Sequence, residues 1–495
     1  MHLQKQPCVF VVSIVLLLIG CPHLGAQSQA EPSDQKKVST VEDARIYREA
    51  MGWFKKAEAL IGTPEENSDE QAELFQKAVQ IMPDFVEAHY NLGLIYANQK
   101  KLKDSIGQFE EVLRIEPDFG EGIFFLLASA HQELGDIQGA MQALERGLQR
   151  KPDDLKMLKA LAYLQLENNR ETDAIPTLQS ILEIEPADAS SRIKLALAYQ
   201  KNGDMDKAVN NYREALLADP ENFAARYNLG LIFLGQKKYA EAAEEFDTAN
   251  RIQPGDAELL ERLGDTYEFQ QEHGKAAQAY KAASDKAPDD GAIFAKLGFS
   301  LAYVNRNEEA VAALETAAGL NPGNSEVLHL LGDLYSDLER NDEAVAAYKK
   351  SLEVDPQNKE VHYNLGTLYA KNDMLNDAIA ELRIAVRLDP DYASAWANLA
   401  LVAEKLELDE EAIQSHETLV ALGKSRASNY FHLGILYAKN NQPDPAIAAF
   451  TKAIEMEPDK YRTILKEELT KVVSILDSVR YKAEFNKLLF APKKQ

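Results

Sequence analysis

The chain has 495 residues, 45% of them hydrophobic and only 8% aromatic, and its 79 acidic side chains outnumber 54 basic ones for a net charge of −25. That balance argues against nucleic acid or an anionic membrane as the bulk partner and reads as a solvated, self-repelling surface. A globular chain of this length would split into several domains, whereas an array of repeats forms one elongated domain.

Residues 1–26 read as a secretory signal: Lys5 is the only charged side chain, and Val9 to Ile19 is an apolar run broken only by Ser13. The run is too short to span a bilayer comfortably. Two endings stay open. Leu18-Ile19-Gly20-Cys21 resembles the lipobox of bacterial lipoproteins, in which Cys21 would be acylated and become the new N-terminus. The other ending is cleavage after small residues near Ala26 or Ala30. Cys8 and Cys21 are the only cysteines, so a disulfide framework and a cysteine metal site are both excluded for the folded part. Residues 27–40 carry Pro32, Ser33 and Lys36-Lys37 and read as a flexible linker.

From Thr40 and Asp43 a helix is expected to start, with Tyr47, Ala50, Phe54, Ala57 and Leu60 at helical spacing. An acidic loop from Gly62 to Glu70 follows, and Leu74, Phe75 and Ala78 lead to Pro83. Residues 41–85 are therefore expected to form a degenerate helix pair that caps the array.

Residues 86–460 then repeat one pattern every 34 residues, eleven times. It is plainest from Phe223 to Asp256, where Leu229 and Phe233 mark a first helix and Ala242, Phe246 and Ala249 a second. The leucine recurs as Leu92, Leu127, Leu161, Leu195, Leu263, Leu297, Leu331, Leu365, Leu399 and Leu433, always followed by glycine or alanine. On the second helix an alanine recurs, replaced only by Ser105, and four residues later comes a bulky group such as Phe109, Tyr212, Tyr280, Tyr348 or Phe450. Small-against-large packing of two helices is implied. Proline closes almost every unit. This pattern resembles the tetratricopeptide repeat family. The resemblance implies an all-α, right-handed superhelical solenoid of stacked antiparallel helix pairs, with the first helices lining a concave groove.

Two irregularities stand out. Gly120 is an extra residue between the first and second units and should alter their packing locally. In the unit from Ala393 to Arg426, Lys424 replaces the closing proline and His416 the bulky group, so a looser repeat is expected. Residues 461–490 fit two capping helices, with Phe485 and Phe490 as candidate dimer contacts if exposed, and 491–495 form a tail.

Catalytic and cofactor motifs are absent from the sequence. The nine histidines show no metal-ligand spacing along one helix, so no metal site, cofactor or enzymatic activity is expected. Gly423-Lys424-Ser425 is similar to the end of a phosphate loop, but Thr418 stands where the first glycine is required. Attention moves to the groove. Six positions into each repeat stand Asn91, Asn228, Asn364 and Asn398, with Lys194, Arg262 and Lys296 between, and one residue earlier Tyr90, Tyr227 and Tyr363, with Lys159 in the same register. A similar asparagine ladder in the eukaryotic O-GlcNAc transferases holds an extended peptide backbone. Here Leu126, Ala160, Leu330 and His432 interrupt it, and the same residues are as well explained by repeat consensus. Lys159, Lys194, Asn228, Arg262 and Lys296 would make a donor-rich track, although Glu258, Glu261 and Asp265 sit close enough to neutralise it.

The expectation is a non-catalytic scaffold of the cell envelope that binds proteins or extended peptides. The alternative is a regulatory or assembly subunit of an envelope enzyme complex. Its location would be the periplasm or a membrane anchored through a lipid on Cys21, with secretion as the second choice.

Overall fold

The computed structural model describes residues 40–473 and Lys487. The expected signal, linker, second capping helix and tail, with Cys21, Phe485 and Phe490, lie outside the described residues. The described residues form 25 helices and no strand. Packing divides the chain into two units, 1–232 and 233–495. In the first, successive helices from Val41–Glu58 to Met205–Ala218 pack on one another in chain order. The second does the same from Tyr239–Ile252 to Pro458–Val473.

Each pair is closed by the small residue after the recurring leucine. A Cβ on Gly332 would lie 2.4 Å from the Tyr348 ring, and one on Gly264 2.5 Å from the Tyr280 ring. The recurring alanines are buried completely, as at Ala140, Ala276 and Ala446. Ser105, the one exception, donates to the Gly93 carbonyl at 2.8 Å, so its buried hydroxyl is satisfied.

The turn inside each unit is fixed by one left-handed residue eight positions after the leucine. Gly135 and Gly203 supply it without strain, but Lys100, Asn169, Lys237, Gln271, Asn305, Glu339, Asp373, Glu407 and Asn441 also adopt positive φ. The next amide then bonds back five residues, as Lys101 to Tyr96 and Arg340 to Tyr335 at 2.8 Å. That closure satisfies carbonyls at the end of the first helix and offsets the backbone strain.

The turn between units is written as Pro-x-Asp or Pro-x-Asn. The proline ends one helix, and two residues on Asp154, Asp188, Asp256, Asp290, Asn324 or Asn358 caps the next through its side chain. Gly120 breaks the spacing, and the helix Gly122–Glu133 starts at Glu121 with no side-chain cap. Residues 41–85 hold the helices Val41–Glu58 and Asp69–Ile81, the first opened by a capping box between Thr40 and Asp43.

A further device recurs three residues before the leucine, where a donor reaches the carbonyl of the closing proline. His89 meets Pro83 at 2.9 Å, Arg192 meets Pro186 at 2.8 Å, His362 meets Pro356 at 3.1 Å and Trp396 meets Pro390 at 2.8 Å. The His362 ring is buried, and its Nδ1 lies 2.6 Å from Glu381 Oε2. Burial alone would lower its pKa, but the Glu381 and Pro356 contacts outweigh burial and raise it. Only the doubly protonated ring donates to both acceptors at once.

A raised folded pKa contributes stability that is full below the unfolded value of about 6.5 and is lost as pH rises through the folded value. Denaturant melts of wild type and Glu381→Gln should therefore differ most near pH 5.5 and converge towards pH 8.5. A gap that widens with pH would contradict this reading.

Candidate functional site

The ladder residues stand beside the buried leucines on the first helices, half exposed. In the first unit Asn91 Nδ2 donates to the Glu87 carbonyl and Asn228 Nδ2 to the Ala224 carbonyl, each at 2.8 Å within its own helix. In the second unit the ladder links successive repeats. Asn364 Nδ2 donates to Asp333 at 2.9 Å and lies 3.2 Å from His329 Nε2, while Asn398 Nδ2 donates to the Thr367 hydroxyl at 2.9 Å. Since a carbonyl or carboxylate only accepts, the amide orientation of Asn91, Asn228 and Asn364 follows from its partner. Each presents Oδ1, an acceptor, away from that partner.

The cationic track looks different in three dimensions. Lys159 pairs with Glu185 at 2.8 Å and Asp188 at 3.0 Å, and Lys296 with Glu261 at 2.7 Å and Asp265 at 2.6 Å. The Glu185 contact contributes most to the raised ammonium pKa of Lys159. At Lys296 burial works most strongly against the charge, yet the Asp265 and Glu261 bonds prevail and its pKa rises. Both lysines are spent on their own protein, which corrects the picture of five available donors. At Lys296 the reason is periodic, because acids flanking Leu263 lie at the ladder position of the next repeat, whereas Lys159 is taken by acids of the turn that follows its own repeat. Arg262 keeps capacity, because Glu258 and Asp265 approach only to 3.8 Å and its buried Nε has no partner. Lys194 is exposed.

The tyrosines support the packing more than they line a surface. Tyr90 lies against Phe119 and Phe109 at 5.3 and 6.2 Å between ring centres, and burial raises its pKa. Tyr227 stacks on Phe223 at 5.9 Å, and Tyr363 tilts against Tyr392 at 5.1 Å.

One polar cluster was not anticipated. His432, at a ladder position, holds Glu404 Oε2 at 2.8 Å through Nδ1, and His416 Nε2 holds Glu404 Oε1 at 2.7 Å. The three come from the helices Ala393–Lys405, Asp409–Ala421 and Ala427–Lys439. His416 is 1% exposed, so the repeat expected to be loose is packed around a satisfied polar core. Burial favours the neutral Glu404 carboxyl, but the His416 and His432 bonds bring its pKa down to about 2. The Glu404 bond raises the pKa of His432. Each residue departs from what most units carry at its position, a signal that reading along single helices does not collect.

Comparison with known proteins bears on the family. Models described as tetratricopeptide repeat match residues 86–119, 131–198, 193–257, 363–427 and 427–460, and one described as TPR repeat matches 332–373. Protein O-mannosyl-transferase TMTC3 of Homo sapiens is 28% identical over 120 residues, which span 24% of this chain and 13% of that protein. TPR repeat-containing protein YpiA of Bacillus subtilis (strain 168) is 29% identical over 120 residues, 24% of this chain and 27% of that one. The matched stretch is thus a minor part of either relative. Among solved structures, YrrB, a TPR protein with an unusual peptide-binding site, has a TM-score of 0.35 at 22% identity, covering 39% of this chain and 97% of its own. Naa15/Naa10 bound to HypK-THB has a TM-score of 0.42 at 15% identity, covering 89% of this chain and 78% of its own. With the 34-residue period, the helix pairs and these family matches together, the chain belongs to the tetratricopeptide repeat family.

Proposed function

We propose that the chain is a non-catalytic interaction scaffold that holds extended peptide segments or partner proteins along the face of its first helices. The observation that carries this reading is the orientation of the ladder asparagines. Asn91 and Asn228 in the first unit, and Asn364 in the second, each direct an amide N–H to a partner within the protein and turn the side-chain oxygen, an acceptor, the other way. An extended peptide offers backbone N–H groups at regular intervals, and it is the ligand such acceptors suit. The outward oxygens of the ladder suit peptide N–H groups, whereas a cationic track would favour peptide carbonyls. Lys194 in the first unit and Arg262 in the second each add a site for an acidic side chain on a segment bound to that unit.

An immobilised library of peptides about 12–15 residues long tests this directly, since that length spans several repeats in extended form. Asn364→Ala with Asn398→Ala should weaken the best ligands by on the order of 2 kcal/mol, about one for each hydrogen bond. Lys350→Ala, on the second-helix side, should leave them unchanged. Thermal melts check that the fold survives loss of the Asp333 and Thr367 contacts. Equal binding by the asparagine variant and wild type would remove the ladder from the site.

We further propose that this scaffold works in the cell envelope, anchored by a lipid on Cys21. The support is the apolar run from Val9 to Ile19 followed by Leu18-Ile19-Gly20-Cys21. No helix among the described residues is long and apolar enough to cross a membrane. Cys21→Ala should move the protein from the membrane fraction to the soluble periplasmic fraction. Wild-type protein found wholly in the soluble fraction would contradict the anchor.

A further inference from the structure

The cluster at Glu404 is built from substitutions that converge. The position of His416 is phenylalanine, tyrosine or leucine in each of the other ten units, and His432 is the only histidine at its position. The position of Glu404 is alanine, leucine, serine or glutamine in every other unit but one, where Glu268 stands. Asn429, beside them, replaces an otherwise small or apolar residue. Four such departures close in space are hard to ascribe to drift. Nor do they add obvious stability, because a well-packed aromatic usually does as well as a buried polar network.

The donor atoms have the chemistry of a metal centre. One carboxylate oxygen and two imidazole nitrogens lie within 4.8 Å of one another. A tetrahedral zinc ion, about 2.0–2.1 Å from each ligand, needs its donors about 3.4 Å apart, so closure of the widest pair by up to about 1.4 Å suffices. Side-chain rotation at the half-exposed His432 provides that movement. Imidazole and carboxylate without thiolate suit a first-row divalent ion of the zinc class, whereas calcium and magnesium prefer oxygen ligands throughout. The expectation that no metal site exists rested on spacing along single helices, and this one draws on three.

We propose that Glu404, His416 and His432 bind one zinc-class divalent cation, leaving a coordination position open at the solvent edge of His432. The ion replaces the two N–H···O bonds to Glu404. The proton of His432 passes to Nε2, or leaves to solvent if the ring is doubly protonated. That of His416 passes to Nδ1, which faces Asn429 Nδ2 at 3.3 Å. Asn429 Oδ1 is already taken by the Arg426 amide at 2.6 Å, so the amide favours the metal-free tautomer. Asn429 is thus a positioning residue that weakens the site. An aspartate there would keep the Arg426 bond and accept the Nδ1 proton.

The test uses the full chain stripped with a chelator and titrated with zinc alone against a competing weak chelator. Cobalt(II) absorption then reports the coordination number. Wild type should bind one ion more per chain than His416→Phe, which restores the side chain found at Phe246 and Phe450. His432→Gln should bind at least tenfold more weakly, and it carries the test if His416→Phe fails to fold. Asn429→Asp should bind about tenfold more tightly, an increase that a purely hydrogen-bonded triad would not produce. Equal zinc affinity and stoichiometry in wild type, His416→Phe and His432→Gln would overturn the proposal. So would a cobalt spectrum unchanged from the hydrated ion, or an Asn429→Asp affinity equal to wild type.

Discussion

Where Gly93, Gly264, Gly332 and Gly434 face Phe109, Tyr280, Tyr348 and Phe450, an added Cβ would lie between 2.4 and 2.7 Å from a ring atom. Rings and backbone therefore touch without a side chain between them, and that contact sets how close the two helices of a unit come. Other features follow from it. So close a pair needs a very short turn, which explains why nine non-glycine residues accept positive φ there. Helices of 12 to 14 residues in the regular units are marginal alone, so each also needs the neighbouring pair to cover its remaining apolar side.

Over this apolar contact lies a polar layer that couples one unit to the next. Tyrosines four residues after the leucine reach back to the preceding second helix, as Tyr199 to Gln179 at 3.1 Å and Tyr267 to Asp247 at 2.8 Å. On the first-helix face, Lys296, Asn364 and Asn398 do the same between successive first helices. Residues proposed for binding thus also serve cohesion. An asparagine that donates one N–H inward to hold the stack keeps its oxygen and at most one N–H to offer outward. His416 and Glu404 extend the polar layer into the core itself.

Helix pairs, their period and the small-against-large contact were legible because one position repeated eleven times averages out local noise. Asp and Asn caps were equally open to reading, lying two residues after a proline. The site was less so. Donors in five successive repeats suggested a cationic track that Glu258, Glu261 and Asp265 could neutralise near Arg262, but Glu261 and Asp265 bind Lys296 and Glu185 binds Lys159, 26 to 35 residues away. The orientation of an amide depends on its partner, and no spacing rule encodes it. His416 drew notice as a lost aromatic, while its significance depended on Glu404 and His432, each inconspicuous on its own helix.

The central claim is that close small-against-large contacts hold individual units, and that nearest-neighbour packing spreads stability between them. Hydrogen exchange on Gly332→Leu tests it most directly, since the added side chain must push Tyr348 out of place. Within residues 233–473 the account predicts the largest acceleration in Ser325–Asp337 and Asn341–Val354 and a smaller one in Asn307–Leu320 and Lys359–Lys371, with Tyr239–Ile252 and Pro443–Met456 near wild type. Equal acceleration in all of these helices would contradict it.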